Sequence, residues 1–328
     1  MRPRKDYTGW RFALLFAVAV ALSLLAGSCR TSYLGQAISG HMKIMRSRQP
    51  IEKILGQENL DPQFRQKLQM VIDVQTFARK ELALPESRSY TVFSQIETDY
   101  PGWNVYCAPK FSTRPKTWCY PVAGCVVYHG YFKKELAERF AGKMIAEGYD
   151  VYMAPFTGYS TLGWFRDPLL SSQLKYDSVS LAGLIIHELA HERYYRAGDS
   201  EFSESFAVTV ERNGVLRWLN SLGSTDLIEN LVNEWKMEDQ KVERMLRVKD
   251  KLNQLYASKA DTSLMQQKKD SILLQLAHDL GIKNRKLNNA FLIPISTYHS
   301  GIPAFQHLFD SVGGDFIRFY DLVEGLSK

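Results

Sequence analysis

The stretch Leu184-Ile185-Ile186-His187-Glu188-Leu189-Ala190-His191 constrains this chain more than any other. It reads H-E-x-x-H and is entered from an apolar run, which predicts a buried helix over residues 178–196. Residues four apart share one helix face, so His187 and His191 can reach a single ion. Glu188 follows His187 directly and is placed to touch a water on that ion. Neutral imidazole is a good zinc ligand, and a carboxylate beside it can act as general base. Such a site needs a third protein ligand, with a fourth position left for water if it is catalytic. The chain must therefore bring a third ligand-bearing residue to this helix.

Four carboxylates follow closely: Glu192, Glu201, Glu204 and Glu211. Glu192 adjoins His191 on the same helix, so its side chain points elsewhere around the axis. Glu201 falls where a second helix begins; that helix is expected from about residue 203 to 222. Glu204 and Glu211 are seven residues apart and share nearly one face of it. Antiparallel packing would bring one of them to the histidines and leave the other about 10 Å further along. The small Ala207 permits close helix approach and favours Glu204. Spacing alone leaves Glu211 open, either as ligand or as the second-layer carboxylate that holds a ligand imidazole. The bland alternative is a histidine pair facing a polar crevice. Against it stand the apolar entry through Leu181, Leu184, Ile185 and Ile186 and the glutamate-bearing helix that follows.

The N-terminus has a basic start and an apolar run from Phe12 to Leu25, then Ala26-Gly27-Ser28 before Cys29. The run is short for a transmembrane helix and suits a signal peptide over residues 1–28 of the lipoprotein type, with Cys29 acylated. Leu25 lies four residues before Cys29, where a lipobox has three. A plain secretory signal and an uncleaved anchor are the alternatives. Each places the body outside the cytoplasm, and the lipoprotein reading makes it a cell-envelope protein held to the membrane by its N-terminal lipid, facing the periplasm or the exterior. In that oxidising setting Cys119 and Cys125 are the natural disulfide pair, since Pro121 and Gly124 let the chain double back. Cys107 is then a buried thiol. No C-x-x-C occurs, which argues against a cysteine zinc site. The formal charge is +6, half of it within residues 1–28, and the remainder is too mild and scattered for a nucleic-acid partner.

Periodicity predicts further helices at 33–48, 61–83 and 132–147, and strands within 90–131 and at 150–154. Residues 225–280 read as two long amphipathic helices turning near Ala260-Asp261. The expected fold is α+β and mainly helical. A small strand region precedes the H-E-x-x-H helix, a long helical hairpin follows it, and one domain spans residues 29–328.

Several blocks resemble one family, the predicted zinc aminopeptidases of bacterial lipoproteins within the gluzincin metallopeptidases. They include Tyr33-Leu34-Gly35-Gln36, Trp103-Asn104-Val105, Pro115-Lys116-Thr117-Trp118-Cys119, Tyr159-Ser160-Thr161-Leu162-Gly163, the H-E-x-x-H itself, Glu204-Ser205-Phe206-Ala207, Leu287-Asn288-Asn289-Ala290 and Gly313-Gly314-Asp315-Phe316. The resemblance implies a zincin-like fold, one Zn²⁺, aminopeptidase activity on a peptide substrate, and Glu204 of the Glu-x-Phe-Ala block as third ligand. Such blocks often carry Asn before that glutamate; Ser203 stands here and is expected to cap the helix.

The residues then take roles. His187, His191 and Glu204 hold zinc, and Glu188 takes the proton of the attacking water. Tyr298, His299 and Tyr159 are candidates for the developing oxyanion. Residues 159–163 are expected to offer backbone hydrogen bonds to an extended peptide. Glu192, Glu201 and Glu211 are available for a substrate amine, and nothing in the sequence selects one. Two rivals share these features: an envelope metalloendopeptidase, and a non-catalytic lipoprotein using the 225–280 hairpin as a partner surface.

Overall fold

The computed structural model describes residues 30–120, 124–158, 166–258 and 260–326, with the side chains of residues 30–32, Ser296 and Tyr298 outside that description. The 1–28 segment, Cys29 and Tyr159 also fall outside it. The protein is mainly helical with small sheets, the α+β class expected from the periodicity.

The chain opens with α1 (Arg30–Arg46), β1 (Arg48–Pro50), α2 (Ile51–Leu55) and α3 (Pro62–Glu81). Pro62 stands in the first turn of α3, and Asp61 accepts from the Phe64 amide at 2.8 Å, so the helix start is fixed locally. Leu68, Val71, Val74 and Ala78 form its buried stripe.

The strand region follows: β2 (Val92–Ser94), β3 (Gly102–Pro109), β4 (Trp118–Tyr120), β5 (Gly124–Val126), β6 (Tyr128–Tyr131), then α4 (Lys134–Ala146), β7 (Tyr149–Phe156) and β8 (Leu169–Leu170). β3 lies between β6 and β7 in an antiparallel sheet. Alternation sends Val105 and Cys107 to one face, where they pack with Ala137, Phe140 and Met144 of α4. Asn104 and Tyr106 belong to the other face, with Tyr128 and Tyr152 beside Tyr106 in register. β1 pairs antiparallel with β2, and β2 parallel with β8, in a second sheet. β4 and β5 form a two-stranded hairpin with Cys119 opposite Cys125, joined as a disulfide. Cys107 is buried and unbonded to another cysteine.

Next come α5 (Ser178–Arg193) and α6 (Ser200–Ser221). Asp177 caps α5 by accepting from the Val179 and Ser180 amides. A helix apolar on most sides must be surrounded, and α5 is. Leu181, Ala182, Ile185, Ile186 and Ala190 are buried against α3, α6 and an aromatic cluster from the C-terminal helices α10 and α11 described below. Gly214 lets α6 approach; a Cβ there would stand 2.8 Å from Leu82 Cδ1 and 3.1 Å from Ile186 Cγ2.

The boundary between these helices differs from expectation. Tyr194 adopts extended backbone and Gly198 has φ +82°, so α5 stops at Arg193 and the chain reverses at once. Asp199, not Ser203, caps α6, accepting from the Phe202 amide at 3.1 Å. Ser203 is buried in the first turn. Its Oγ accepts from the Arg196 amide at 3.0 Å and donates to the Asp199 carbonyl at 3.0 Å, clasping the turn between the helices.

The long helices α7 (Thr225–Ala257) and α8 (Thr262–Asp279) form the hairpin. Leu252, Leu273 and Leu276 give it a small core shared with Leu287 and Leu292. Buried Lys269 fastens it to the sheet, donating to the Lys110 carbonyl at 2.8 Å and to Asp150 of β7. The chain ends with α9 (Leu292–His299), α10 (Ile302–Ser311) and α11 (Phe316–Gly325). Phe305 of α10 and Phe316 and Phe319 of α11 supply the aromatic cluster, and Phe319 stacks on Phe206 of α6. No described helix is long and apolar enough to cross a membrane.

Candidate metal centre

His187 and His191 lie one turn apart on α5, with their Nε2 atoms 3.2 Å from each other. α6 returns alongside and delivers Glu204, whose Oε2 is 3.3 Å from His187 Nε2 and 3.4 Å from His191 Nε2. Three lone-pair-bearing atoms thus converge from two helices, and among the described residues they form the one His/Cys/Asp/Glu group with metal-ligand spacing. Zinc bonds of about 2.0–2.1 Å in tetrahedral geometry put neighbouring ligand atoms about 3.3 Å apart. The three separations match that edge length, so the donor set fits a divalent cation.

Glu211, two turns beyond Glu204, meets the other nitrogen of the same imidazole: its Oε2 lies 2.9 Å from His187 Nδ1. A proton on Nδ1 donates to this carboxylate, so that a ring that gives up its Nε2 proton keeps the Nε2 lone pair facing the cluster. Gly183, one turn before His187, gives Glu211 its room, since a Cβ there would stand 3.0 Å from Oε1. Burial alone would raise the Glu204 carboxyl. The adjoining imidazoles of His191 and His187 outweigh it and hold the pKa down to about 2. Burial likewise opposes a charged His187, yet hydrogen bonds to Glu204 and Glu211 carry that ring well above the ordinary histidine range.

The cluster forms the floor of a cavity of about 830 Å³, together with Glu188. Gly158, just past β7, lies directly over Glu188; a Cβ there would be 2.3 Å from Oε1. A tyrosine wall also lines it, from the face of β3, β6 and β7 that carries Asn104, Tyr106, Tyr128 and Tyr152, and α1 contributes Tyr33 and Ala37. Burial and then the charge of Glu204 raise the phenols of Tyr128 and Tyr195, and both stay protonated at neutral pH. The Tyr195 ring stands edge-on to His191 with centroids 5.9 Å apart.

The remaining candidates separate. Glu201 is exposed and accepts from Ser300 Oγ, and neither it nor Glu192 lines the cavity. His299 is also absent from the lining, although Pro294 on the same helix is part of it. Tyr298 belongs to α9 by its backbone, and its side chain is outside the description. Glu211 lines the cavity and holds His187, so the structure separates its place from that of Glu204. Sequence reasoning missed the tyrosine wall and Gly158. A period-two reading of Asn104-x-Tyr106, Tyr128-x-Gly130 and Tyr152-x-Ala154 would have put these residues on one sheet face. Tyr195, four residues after His191, carried a helical-spacing signal as well.

No curated protein and no solved structure matches the chain. A family model described as "Putative aminopeptidase" matches residues 32–328, which is nearly the whole sequence and every residue of the cluster. The chain belongs to this putative aminopeptidase family.

Proposed function

We propose that this protein is a zinc-dependent peptidase of gluzincin type, acting as an aminopeptidase in the cell envelope. The observation that carries the reading is the 3.2–3.4 Å triangle of His187, His191 and Glu204 on the floor of the cavity, with Glu188 beside it. One Zn²⁺ would be held by Nε2 of each histidine and a carboxylate oxygen of Glu204. Bound there, it supplies Lewis acidity, polarising the scissile carbonyl and lowering the pKa of a water toward about 7. Glu188 accepts the proton of the attacking water and hands it to the leaving amine. Glu211 keeps the His187 ring in the orientation and tautomer that present Nε2. The protonated hydroxyls of the tyrosine wall are donors for the developing oxyanion, alongside Tyr298. Among the described residues β7 is an edge strand, and its continuation through Thr157 and Gly158 lines the cavity, which suits an extended peptide aligned there; Tyr159 follows in sequence as the further candidate. Residues 1–28 and Cys29 supply targeting and a lipid anchor in this reading.

Metal analysis of the purified protein, paired with the Glu188→Gln variant, tests the assignment. The variant should retain zinc and lose peptide hydrolysis. Undiminished turnover in Glu188→Gln, or an isolated protein that takes up no divalent metal, overturns it.

One observation favours an endopeptidase as second reading. Among the described residues the cavity carboxylates are Glu188, Glu204 and Glu211, and each already has a task. None is left over to hold a substrate's free amine. Equal cleavage of N-acetylated and free peptides would select the endopeptidase; loss of activity on acetylation would select the aminopeptidase.

A further inference from the structure

α1 has two unlike sides. One is docked: Tyr33 packs on the His129 ring at 3.8 Å between centroids, Gln36 accepts from the Phe132 amide at 3.2 Å and donates to the Gly130 carbonyl at 3.3 Å, and Gly40 lies against Phe132. These residues follow helical spacing and tie α1 to the edge of β6. On the rest of the surface Leu34, Ile38 and Met42, spaced four apart, are 44%, 62% and 39% exposed. Exposed Lys43 and Arg46 flank this row, Lys43 pairing with Glu97. A row of large apolar side chains with basic neighbours has the composition of a helix lying in a bilayer interface.

The position of the row says what covers it. Leu34 comes five residues after Cys29 and nine after the end of the apolar run at Leu25. Along a helix, five residues span about 8 Å. An acylated Cys29 stands five residues from Leu34 and a retained apolar run nine, so in either case the membrane is tethered close to the start of α1. We propose that α1 lies on an anionic phospholipid surface with Leu34, Ile38 and Met42 in the boundary between headgroups and acyl chains. This rests on residues 1–29 being a membrane-targeting segment and is independent of the peptidase assignment. A single acyl chain binds a bilayer only marginally, and the apolar row supplies a second contact. It has a consequence for substrate choice: Tyr33 and Ala37, on the docked side of the same helix, are walls of the cavity, so the site is held beside the bilayer and takes peptide chain presented at its surface.

The test uses the full chain reconstituted in phosphatidylethanolamine–phosphatidylglycerol vesicles. Single cysteines are placed at Leu34, Ile38 or Met42, and for comparison at Leu274 and Ile145, which are 73% and 61% exposed elsewhere on the body. Each is labelled with an environment-sensitive fluorophore. Quenching by spin-labelled lipid at the α1 positions should exceed that at Leu274 and Ile145 at least about twofold, with blue-shifted emission. Equal quenching at Ile38 and Leu274 in a chain that floats with the vesicles overturns the α1 contact while leaving the anchor in place. Failure of the full chain to float overturns both. Neither result bears on zinc content or hydrolysis, which are measured separately.

Discussion

Glu211 and Glu204 grip opposite nitrogens of one imidazole, Glu211 Oε2 standing 2.9 Å from His187 Nδ1 while Glu204 faces Nε2. The ring is therefore held in orientation before any ion arrives. Removing the charge that accepts the Nδ1 proton weakens the donor at Nε2. Glu211→Gln should cost roughly 10–100-fold in zinc affinity. Competition with a chromophoric chelator reads this directly, and unchanged circular dichroism would separate it from unfolding. Affinity equal to the parent's would remove Glu211 from the site.

Gly158 and Glu188 give a second prediction, this time separating proton transfer from metal binding. A methyl group at position 158 would stand 2.3 Å from Glu188 Oε1, so the carboxylate must move. None of the three proposed ligands is touched. Gly158→Ala should lower kcat by up to about 100-fold, the size of effect that a displacement of about 1 Å produces at a reacting group. Zinc content should stay at the parent level. A variant that loses metal together with activity would mean that the loop over Glu188 supports the ligands themselves.

The contrast between these two glutamates shows what the sequence made legible. The pairing of His187 with His191 follows from a local period, and the next helix with Glu204 follows from the pattern after it. Which of Glu204 and Glu211 faces both Nε2 atoms is a question of helix crossing, where Gly214 lets α6 come close to Leu82 and Ile186, and no spacing rule contains it. Ser203 was legible as a polar residue near a helix start, but Asp199 holds the cap because Gly198 turns the chain earlier than the periodicity indicates. β1 and β8 are two or three residues long and too short to carry a pattern. The tyrosine wall depends on strand register, a non-local property.

The disulfide hairpin makes a third prediction. Gly124, at φ +71°, abuts the turn that joins the two helices carrying the proposed ligands. A Cβ there would lie 2.5 Å from the Gly198 nitrogen and 3.0 Å from the Ala197 carbonyl carbon. Backbone has no rotamer with which to yield, so the turn or the hairpin must shift. That turn sets how α6 presents Glu204, and Ser203 is bonded to it. Gly124→Ala should weaken zinc binding, and Gly148→Ala, also at positive φ but with nothing within 4 Å of its Cβ, should lose stability alone. Chelator competition and urea midpoints on both variants distinguish the two effects. Equal zinc affinity in both would show that the hairpin does not position the ligand.

His129 sets the expected acid sensitivity of the body. It sits on the α4 side of the sheet among Tyr33, Trp118, Tyr131 and Phe140, is almost wholly buried, and its Nδ1 has no hydrogen-bond partner among the described residues. Burial pushes its pKa down from 6.5 to about 4. The unfolded chain therefore takes up a proton below about pH 6.5 that the folded chain refuses until about pH 4. Stability falls as the pH drops through that window, by at most about 3 kcal/mol, and levels off below it. Urea unfolding of the zinc-free protein from pH 7 to pH 4 should show this slope, and His129→Gln should flatten it. Zinc-free protein is required because zinc held at the proposed site would add a pH-dependent stabilisation of its own. A pH profile identical in the parent and in His129→Gln would mean that the folded protein accepts the proton at His129 after all, by opening the aromatic cage to water.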